Sequence, residues 1–134
     1  EPVKARNAYF NLEKLGATVS DLQENFYGTD YGTPPDKDGK KVGFASDRLF
    51  AEWDIASEKV KALASGEKFV EAGEPTATVQ IMPDWLAHVA RDPEKARSEQ
   101  LRIRKEFETA FDFGMVCRGF YRDEEQPAYL LYKA

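Results

Sequence analysis

The sequence predicts a mixed α+β domain whose sheet is mostly antiparallel and flanked by helices. Segments with apolar residues at every third or fourth position, typical of helices, stand between shorter segments with strand character. A loop rich in Gly, Pro and Asp, residues 28–43, separates two candidate strands, which favours antiparallel pairing. The last two candidate strands flank the turn DEEQP, residues 123–127, and are expected to pair as well.

Composition limits the classes of function. A chain of 134 residues fits one domain with a real core. Its net charge of -5, with basic residues dispersed among acids, argues against a general binder of nucleic acid or anionic membranes. The single Cys excludes an internal disulfide framework and a Cys-based zinc site. It fits a reducing compartment, so we expect a cytoplasmic protein.

The first half predicts one helix and two strands. The helix covers residues 3–15, and Gly16 ends it in a left-handed conformation. A strand is expected within residues 17–28. Strict alternation over residues 47–55 predicts a second strand with one buried face, formed by Leu49, Ala51, Trp53 and Ile55.

The second half contains three helix starts marked by capping residues. Ser57 caps a short helix that ends at Gly66, and Asp84 caps one or two turns after the strand over residues 77–83. Asp92 followed by Pro93 begins a helix of about five turns that ends at Gly114. One face of this helix is apolar: Ala96, Ile103, Phe107, Ala110 and Phe111. Phe107, Phe111 and Phe113 are expected in the core.

Several blocks of the sequence carry a family resemblance. These are EPVKARNAYFNLEKLGATV, NFYG and SDRLFAEWDI, together with the tail from residue 92 to residue 133. They resemble the later part of a GNAT-fold acyltransferase, more narrowly a bacterial group of predicted GNAT acetyltransferases. Some relatives in that group are linked to N-succinylation of amino acids. The resemblance spans nearly the whole chain.

The resemblance implies an acyl-CoA-dependent N-acyltransferase. It would move an acetyl or succinyl group from acetyl-CoA or another acyl-CoA to a small amine such as an amino acid, without a metal. Residues 1–56 would be the C-terminal part of the GNAT-like core, and residues 57–134 an α+β extension packed on it. The Gly-rich turn that holds the coenzyme A pyrophosphate in GNAT enzymes does not occur in this sequence. The expected partner is therefore an N-terminal half of the same protein, or a second copy.

The resemblance also suggests binding residues. Asn7 and Asn11 lie one turn apart on a predicted helix, and their amides suit the pantetheine amides of coenzyme A. The alternatives are a helix cap for Asn7 and a solvated position for Asn11. Tyr27 and Arg48 flank the long loop near the implied acceptor pocket, where Arg48 would hold an acceptor carboxylate. The alternative for Arg48 is a surface ion pair with Asp47 or another acid.

No catalytic residue can be assigned from the sequence. Many GNAT enzymes have a Tyr acid in the helix before Leu-Gly, but alignment on EKLG places Leu12 there, with Tyr9 almost a full turn away. His88 is expected to be a half-exposed residue of a short helix, and Cys117 a small buried residue of a strand. A second function remains open: a non-catalytic domain that binds a small ligand or a partner and keeps half of the GNAT fold.

Overall fold

One antiparallel sheet organises the chain, as described by a computed structural model of residues 1–134. The strands are β1 (Thr18–Gln23), β2 (Arg48–Glu52), β3 (Ala77–Gln80), β4 (Met115–Tyr121) and β5 (Ala128–Lys133). They lie in the order β2-β1-β4-β5-β3, and all four pairings are antiparallel. The helices are α1 (Ala5–Tyr9), α2 (Glu58–Ala64), α3 (Trp85–Arg91) and α4 (Pro93–Asp112). The predicted α+β class and antiparallel sheet are confirmed.

The three predicted helix caps are present. The side chains of Ser57, Asp84 and Asp92 each accept a hydrogen bond at 3.2 Å from the backbone amide three residues further on. These bonds satisfy amides that have no partner within their own helix. The starts of α2, α3 and α4 are therefore fixed by local sequence.

The first helix ends in an unexpected way. After α1 the chain continues as a π-helical segment, Phe10–Lys14, and the amide of Leu15 bonds to the carbonyl of Phe10, five residues back. Gly16 then stops the helix at a φ of +78°. A Cβ atom at this position would also stand 3.1 Å from Cδ1 of Leu63, so Gly16 allows α2 to pack closely.

The core lies between α4 and one face of the sheet. Ile103 and Phe107 of α4 are fully buried, and the Phe107 ring meets the Tyr129 ring edge-on at 4.8 Å. Phe107 thus occupies the predicted core, and Phe111 packs against it partly buried. The prediction for Phe113 is wrong, since its side chain is 78% exposed. Phe113 is the C-cap residue of α4, beyond the last turn that faces the sheet.

The predicted buried face of β2 is wrong for three of its four residues: Leu49 is half-buried against the core, but Ala51, Trp53 and Ile55 are exposed. β2 is an edge strand that ends at Glu52, and the side chains of Trp53 and Ile55 beyond it are 55% and 67% exposed. Alternation in the sequence indicated a strand, which is confirmed. Burial needs a covering layer, and α4 packs against β1, β3 and β4 rather than β2. The antiparallel pairing of β1 with β2 is confirmed.

The sheet runs across the expected boundary between residues 56 and 57. β1 comes before this boundary and β4 after it, yet Val19 lies opposite Cys117 in adjacent strands. None of the helices combines the length and the apolar character needed to cross a membrane.

Candidate functional site

Tyr27 and Arg48, separated by the long loop, meet in space. The guanidinium carbon of Arg48 lies 4.9 Å from the centre of the Tyr27 ring and 5.9 Å from that of Tyr31. The two tyrosine rings stack on each other with their centres 4.6 Å apart. Both distances to Arg48 are within the range of cation–π attraction. The two rings therefore orient the guanidinium group.

A carboxylate is already positioned at this guanidinium. Oε1 of Glu1 lies 3.4 Å from Nη2 of Arg48, and both side chains are mostly buried. The carboxylate of Asp47, considered from the sequence as a partner of Arg48, binds elsewhere. Only the backbone carbonyl of Asp47 accepts a hydrogen bond from Arg48, at 3.0 Å. The position of Glu1 shows that an anionic group can approach Arg48 here.

The loop that carries Tyr27 is tied to the start of β2 by reciprocal hydrogen bonds. The amide of Asn25 donates to the Asp47 carboxylate at 3.0 Å, and the amide of Ser46 donates to the Asn25 side chain at 3.0 Å. The amide of Tyr27 donates to the Ser46 hydroxyl at 2.9 Å. Ser46 and Asp47 are both buried. These bonds fix the backbone on both sides of the Tyr27–Arg48 contact.

Helix α4 holds the Asp47 carboxylate in place through Arg104. Its Nε and Nη2 atoms donate to the two carboxylate oxygens of Asp47 at 2.9 and 2.8 Å, a bidentate pair. The hydrogen bond to Asp47 is the main reason why the pKa of Arg104 is raised. Sequence reasoning missed this pair because 57 residues separate its members.

Two phenylalanines extend the site along β2. Phe26 meets the Tyr27 ring edge-on at 4.8 Å and the Phe50 ring at 5.1 Å. We call Phe26, Tyr27, Tyr31 and Phe50 the aromatic cluster. All four side chains are 40% to 53% exposed. The cluster thus offers apolar surface next to a single oriented cation.

The two asparagines suggested as coenzyme contacts lie on the first helix. Asn7 in α1 is exposed, and Asn11 in the π-helical segment is half-buried. Neither side-chain amide takes part in the hydrogen bonds of the folded chain, so both are free to contact a ligand. The backbone carbonyl of Asn11 accepts a bond from Ala17 at 2.9 Å. Their cofactor role stays a prediction.

The residues considered for catalysis lie apart from one another. Leu12 is buried in the core, and Tyr9 is half-buried with the Arg122 guanidinium 4.2 Å from its ring centre. His88 is half-exposed on α3. Cys117 is fully buried in β4, and burial is the main cause that raises its pKa to about 12. A thiol with this pKa is not a nucleophile at neutral pH.

Sequence reasoning also missed a shielded ion pair on α2. Nζ of Lys59 lies 2.7 Å from the Glu71 carboxylate, and both side chains are at most 20% exposed. Lys59 in the helix and Glu71 in the connector are 12 residues apart in the sequence. A spacing of this kind does not predict a contact. No group of three or more His, Cys, Asp or Glu side chains is arranged to hold a metal ion.

Comparison with known proteins found no similar protein. No family model matches the sequence, and neither a curated protein nor a solved structure matches the chain.

Proposed function

We propose that the chain forms the acceptor-side part of an acyl-CoA-dependent N-acyltransferase of the GNAT type. The enzyme transfers an acetyl or succinyl group from acetyl-CoA or another acyl-CoA to a small amine that carries a carboxylate, such as an amino acid. The amine attacks the thioester carbonyl, the C–S bond breaks, and coenzyme A leaves as the thiol. The reaction takes place in the cytoplasm, and Asn7 and Asn11 contact the coenzyme.

The arrangement of Arg48 supports this proposal. The guanidinium is held by two stacked tyrosines, and a carboxylate, that of Glu1, approaches it to 3.4 Å. An amino-acid acceptor that displaces Glu1 would place its carboxylate on Arg48 and its side chain against the aromatic cluster. Charge-assisted hydrogen bonds of this kind contribute about 1.5–3 kcal/mol.

The test combines a variant enzyme with a modified substrate. Release of coenzyme A thiol is measured for the full-length protein with acetyl-CoA or succinyl-CoA and each amino acid. The same assay is run with the decarboxylated amine of each active acceptor. Arg48→Gln should lower kcat/KM for the amino acid about tenfold to a hundredfold. The variant should hardly change kcat/KM for the amine that lacks the carboxylate.

Arg91→Gln is the matched control, because Arg91 is exposed at the end of α3 and forms no ion pair. Its activity should equal that of the wild type. Equal losses with both kinds of acceptor would mean that Arg48 supports the fold rather than the carboxylate. Absence of thiol release with every donor and acceptor would refute the acyltransferase proposal.

A partner segment is part of the same proposal. β2 is the last strand on its side of the sheet, and the aromatic cluster stands exposed beside it. An N-terminal half of the same protein, pairing with β2, would cover this edge and supply the pyrophosphate site. Amide hydrogen exchange of β2 should be slower in the full-length protein than in residues 1–134 alone. Slow exchange that depends on protein concentration would instead identify a second copy as the partner.

A non-catalytic role is the second candidate. The exposed aromatic cluster beside an edge strand is also a surface on which a partner or small ligand could bind without chemistry. In that case Tyr27→Ala would weaken a complex of the full-length protein, and no coenzyme A thiol would be released with any donor.

A further inference from the structure

A pocket lies away from Arg48, and no residue of β1 or β2 lines it. Arg48 is the first residue of β2 and lies opposite Gln23, the last residue of β1. The pocket is formed by the end of the first helix, α2, the connector before β3, and strands β4 and β5. Its volume is about 290 Å³, which is just below the usual range of about 300–1,000 Å³ for pockets of drug-sized ligands. It therefore suits a smaller molecule.

The hydroxyl of Tyr132 is the unusual feature of this pocket. Tyr132 is only 8% exposed and lines the pocket, yet its hydroxyl has no hydrogen-bond partner in the folded chain. The other buried tyrosine, Tyr129, donates its hydroxyl proton to the carbonyl of Pro2 at 2.7 Å. No buried side-chain polar atom of the structure lacks a partner, so the Tyr132 hydroxyl opens into the pocket and is not enclosed in the core. The Tyr132 hydroxyl is thus available to a ligand.

The electric field at this hydroxyl favours a cation. Burial, followed by the negative charges of Glu71, Glu13 and Glu74, raises the pKa of Tyr132. These three acids line the pocket together with two cations, Lys59 and Arg118. The cleft next to it adds three further acids: Glu52, Asp54 and Glu58. Negative charge therefore predominates on this side of the molecule.

Lys59 shows how an ammonium group is held here. Its Nζ donates to the Glu71 carboxylate at 2.7 Å and to the carbonyl of Arg118 at 2.5 Å. The ring of Phe69 lies 5.7 Å from the same nitrogen, within cation–π range. The positive charge of Lys59 thus balances the negative charge of Glu71. No cationic side chain pairs with Glu13 or Glu74, since neither forms a salt bridge in the structure.

We infer that this pocket binds a small aliphatic amine as its ammonium ion. The ammonium donates hydrogen bonds to the Tyr132 hydroxyl and to the free carboxylate oxygens of Glu13 and Glu74. Its alkyl chain packs against Leu63 and Val70, which form the apolar side of the pocket. The inference is independent of the acyltransferase proposal, because it concerns binding and uses none of the residues around Arg48.

n-Butylammonium is the probe, and butyrate is the control with the opposite charge. Binding to the 134-residue chain is followed by amide chemical shifts in NMR titrations at low salt. Saturable shifts are expected at Gly119 and Phe120, which lie beside the pocket in β4 and next to Glu13. Raising the salt concentration should weaken the binding. Butyrate should cause no saturable shift at these amides.

Tyr132→Phe tests the hydroxyl, because it removes one oxygen and keeps the ring that fills the site. It should raise the Kd of n-butylammonium about threefold to tenfold, as expected for the loss of one hydrogen bond. Glu74→Gln should also raise the Kd. Tyr121→Phe is the matched control, since Tyr121 is 57% exposed and does not line the pocket.

Three results would overturn the inference: no saturable shift with n-butylammonium, equal binding of butyrate, or an unchanged Kd in Tyr132→Phe. A melting temperature of Tyr132→Phe close to that of the wild type would show that the variant is folded. If it is not folded, Glu74→Gln decides, because Glu74 is exposed and its replacement leaves the core intact.

Discussion

The carboxylate of Glu13 accepts a hydrogen bond at 2.7 Å from the backbone amide of Phe120, across 107 residues of sequence. The β4–β5 register shifts between Cys117 and Gly119, just before this amide, and β1 pairs with β4 only at Cys117. The π-helical segment carries Glu13 to that amide. Gly119 permits the approach, because a Cβ there would stand 3.0 Å from Oε1 of Glu13.

Removing the Glu13 carboxylate should destabilise the fold. Glu13→Ala leaves the partly buried Phe120 amide without a partner, which costs about 1–3 kcal/mol in the free energy of unfolding. Glu13→Gln keeps an acceptor oxygen and should lose much less. Urea denaturation measures both. Equal losses in the two variants would show that the charge of Glu13, rather than its hydrogen bond, is what matters.

The Asp47–Arg104 pair is expected to be a major contributor to stability. Asp47 is 2% exposed, so replacing Arg104 by Met leaves a buried carboxylate without its charged partner. We expect a loss of about 3 kcal/mol, at the lower end of the range for broken buried ion pairs. Arg91→Met is the control, because Arg91 is exposed and unpaired.

The Arg104→Met variant also tests whether α4 holds the loop that carries Tyr27 in place. In Arg104→Met, amide exchange at Asn25 and Tyr27 should become faster, because Asp47 and Ser46 hold these two amides. Unchanged exchange at Asn25 and Tyr27 would mean that the loop is held in place without α4.

Burial of Cys117 makes the free energy of unfolding depend on pH in the alkaline range. The pKa of its thiol is about 12 in the fold, against an ordinary value of 9.0. Below pH 9 both states keep the proton, so the contribution is constant. Above about pH 9 the unfolded thiol ionises while the folded one does not, and stability falls by up to about 1.4 kcal/mol per pH unit.

Comparison with Cys117→Ala isolates this effect from other groups. The wild type should lose more stability between pH 9 and pH 10 than the variant, as measured by urea unfolding. The native thiol should also resist a disulfide reagent at pH 8 until the protein unfolds. Rapid labelling of the native protein would contradict the buried position of Cys117.

The capping residue of α4 offers a local prediction. Asp92→Ala removes the acceptor of the Lys95 amide, a bond of 3.2 Å. A lost N-cap typically costs about 1 kcal/mol. Asp92→Ser keeps an acceptor and should be close to the wild type in thermal unfolding. If Asp92→Ala melts like the wild type, Pro93 alone is enough to start the helix.

Sequence patterns predicted most of the elements because their signals are local. An N-cap needs only a side chain and an amide three residues away, as at Ser57 and Asp92, and a left-handed stop needs only a glycine such as Gly16. The strand order, the exposed face of β2 and the exposed Phe113 could not be predicted in this way. They depend on which element covers which surface, and that is decided between distant parts of the chain.

The candidate site was predicted only in outline. Tyr27 and Arg48, which flank one loop, were singled out by the family resemblance, and the fold brings them together. The roles of Asp47 and Arg104, and those of Lys59, Glu71 and Tyr132, depend on distances that no spacing in the sequence encodes. The acyl donor and acceptor stay predictions that rest on the family resemblance and on the arrangement around Arg48.

The sequence by itself determined the class of the fold, the helix starts and stops, and the hairpin of β4 and β5, because each depends on neighbours within a few residues. Only the tertiary structure decided that the Asp47 carboxylate binds Arg104 rather than Arg48, and that Glu13 accepts the hydrogen bond of the Phe120 amide. A charged or polar group in a protein interior must find a partner, and packing decides which partner is within reach.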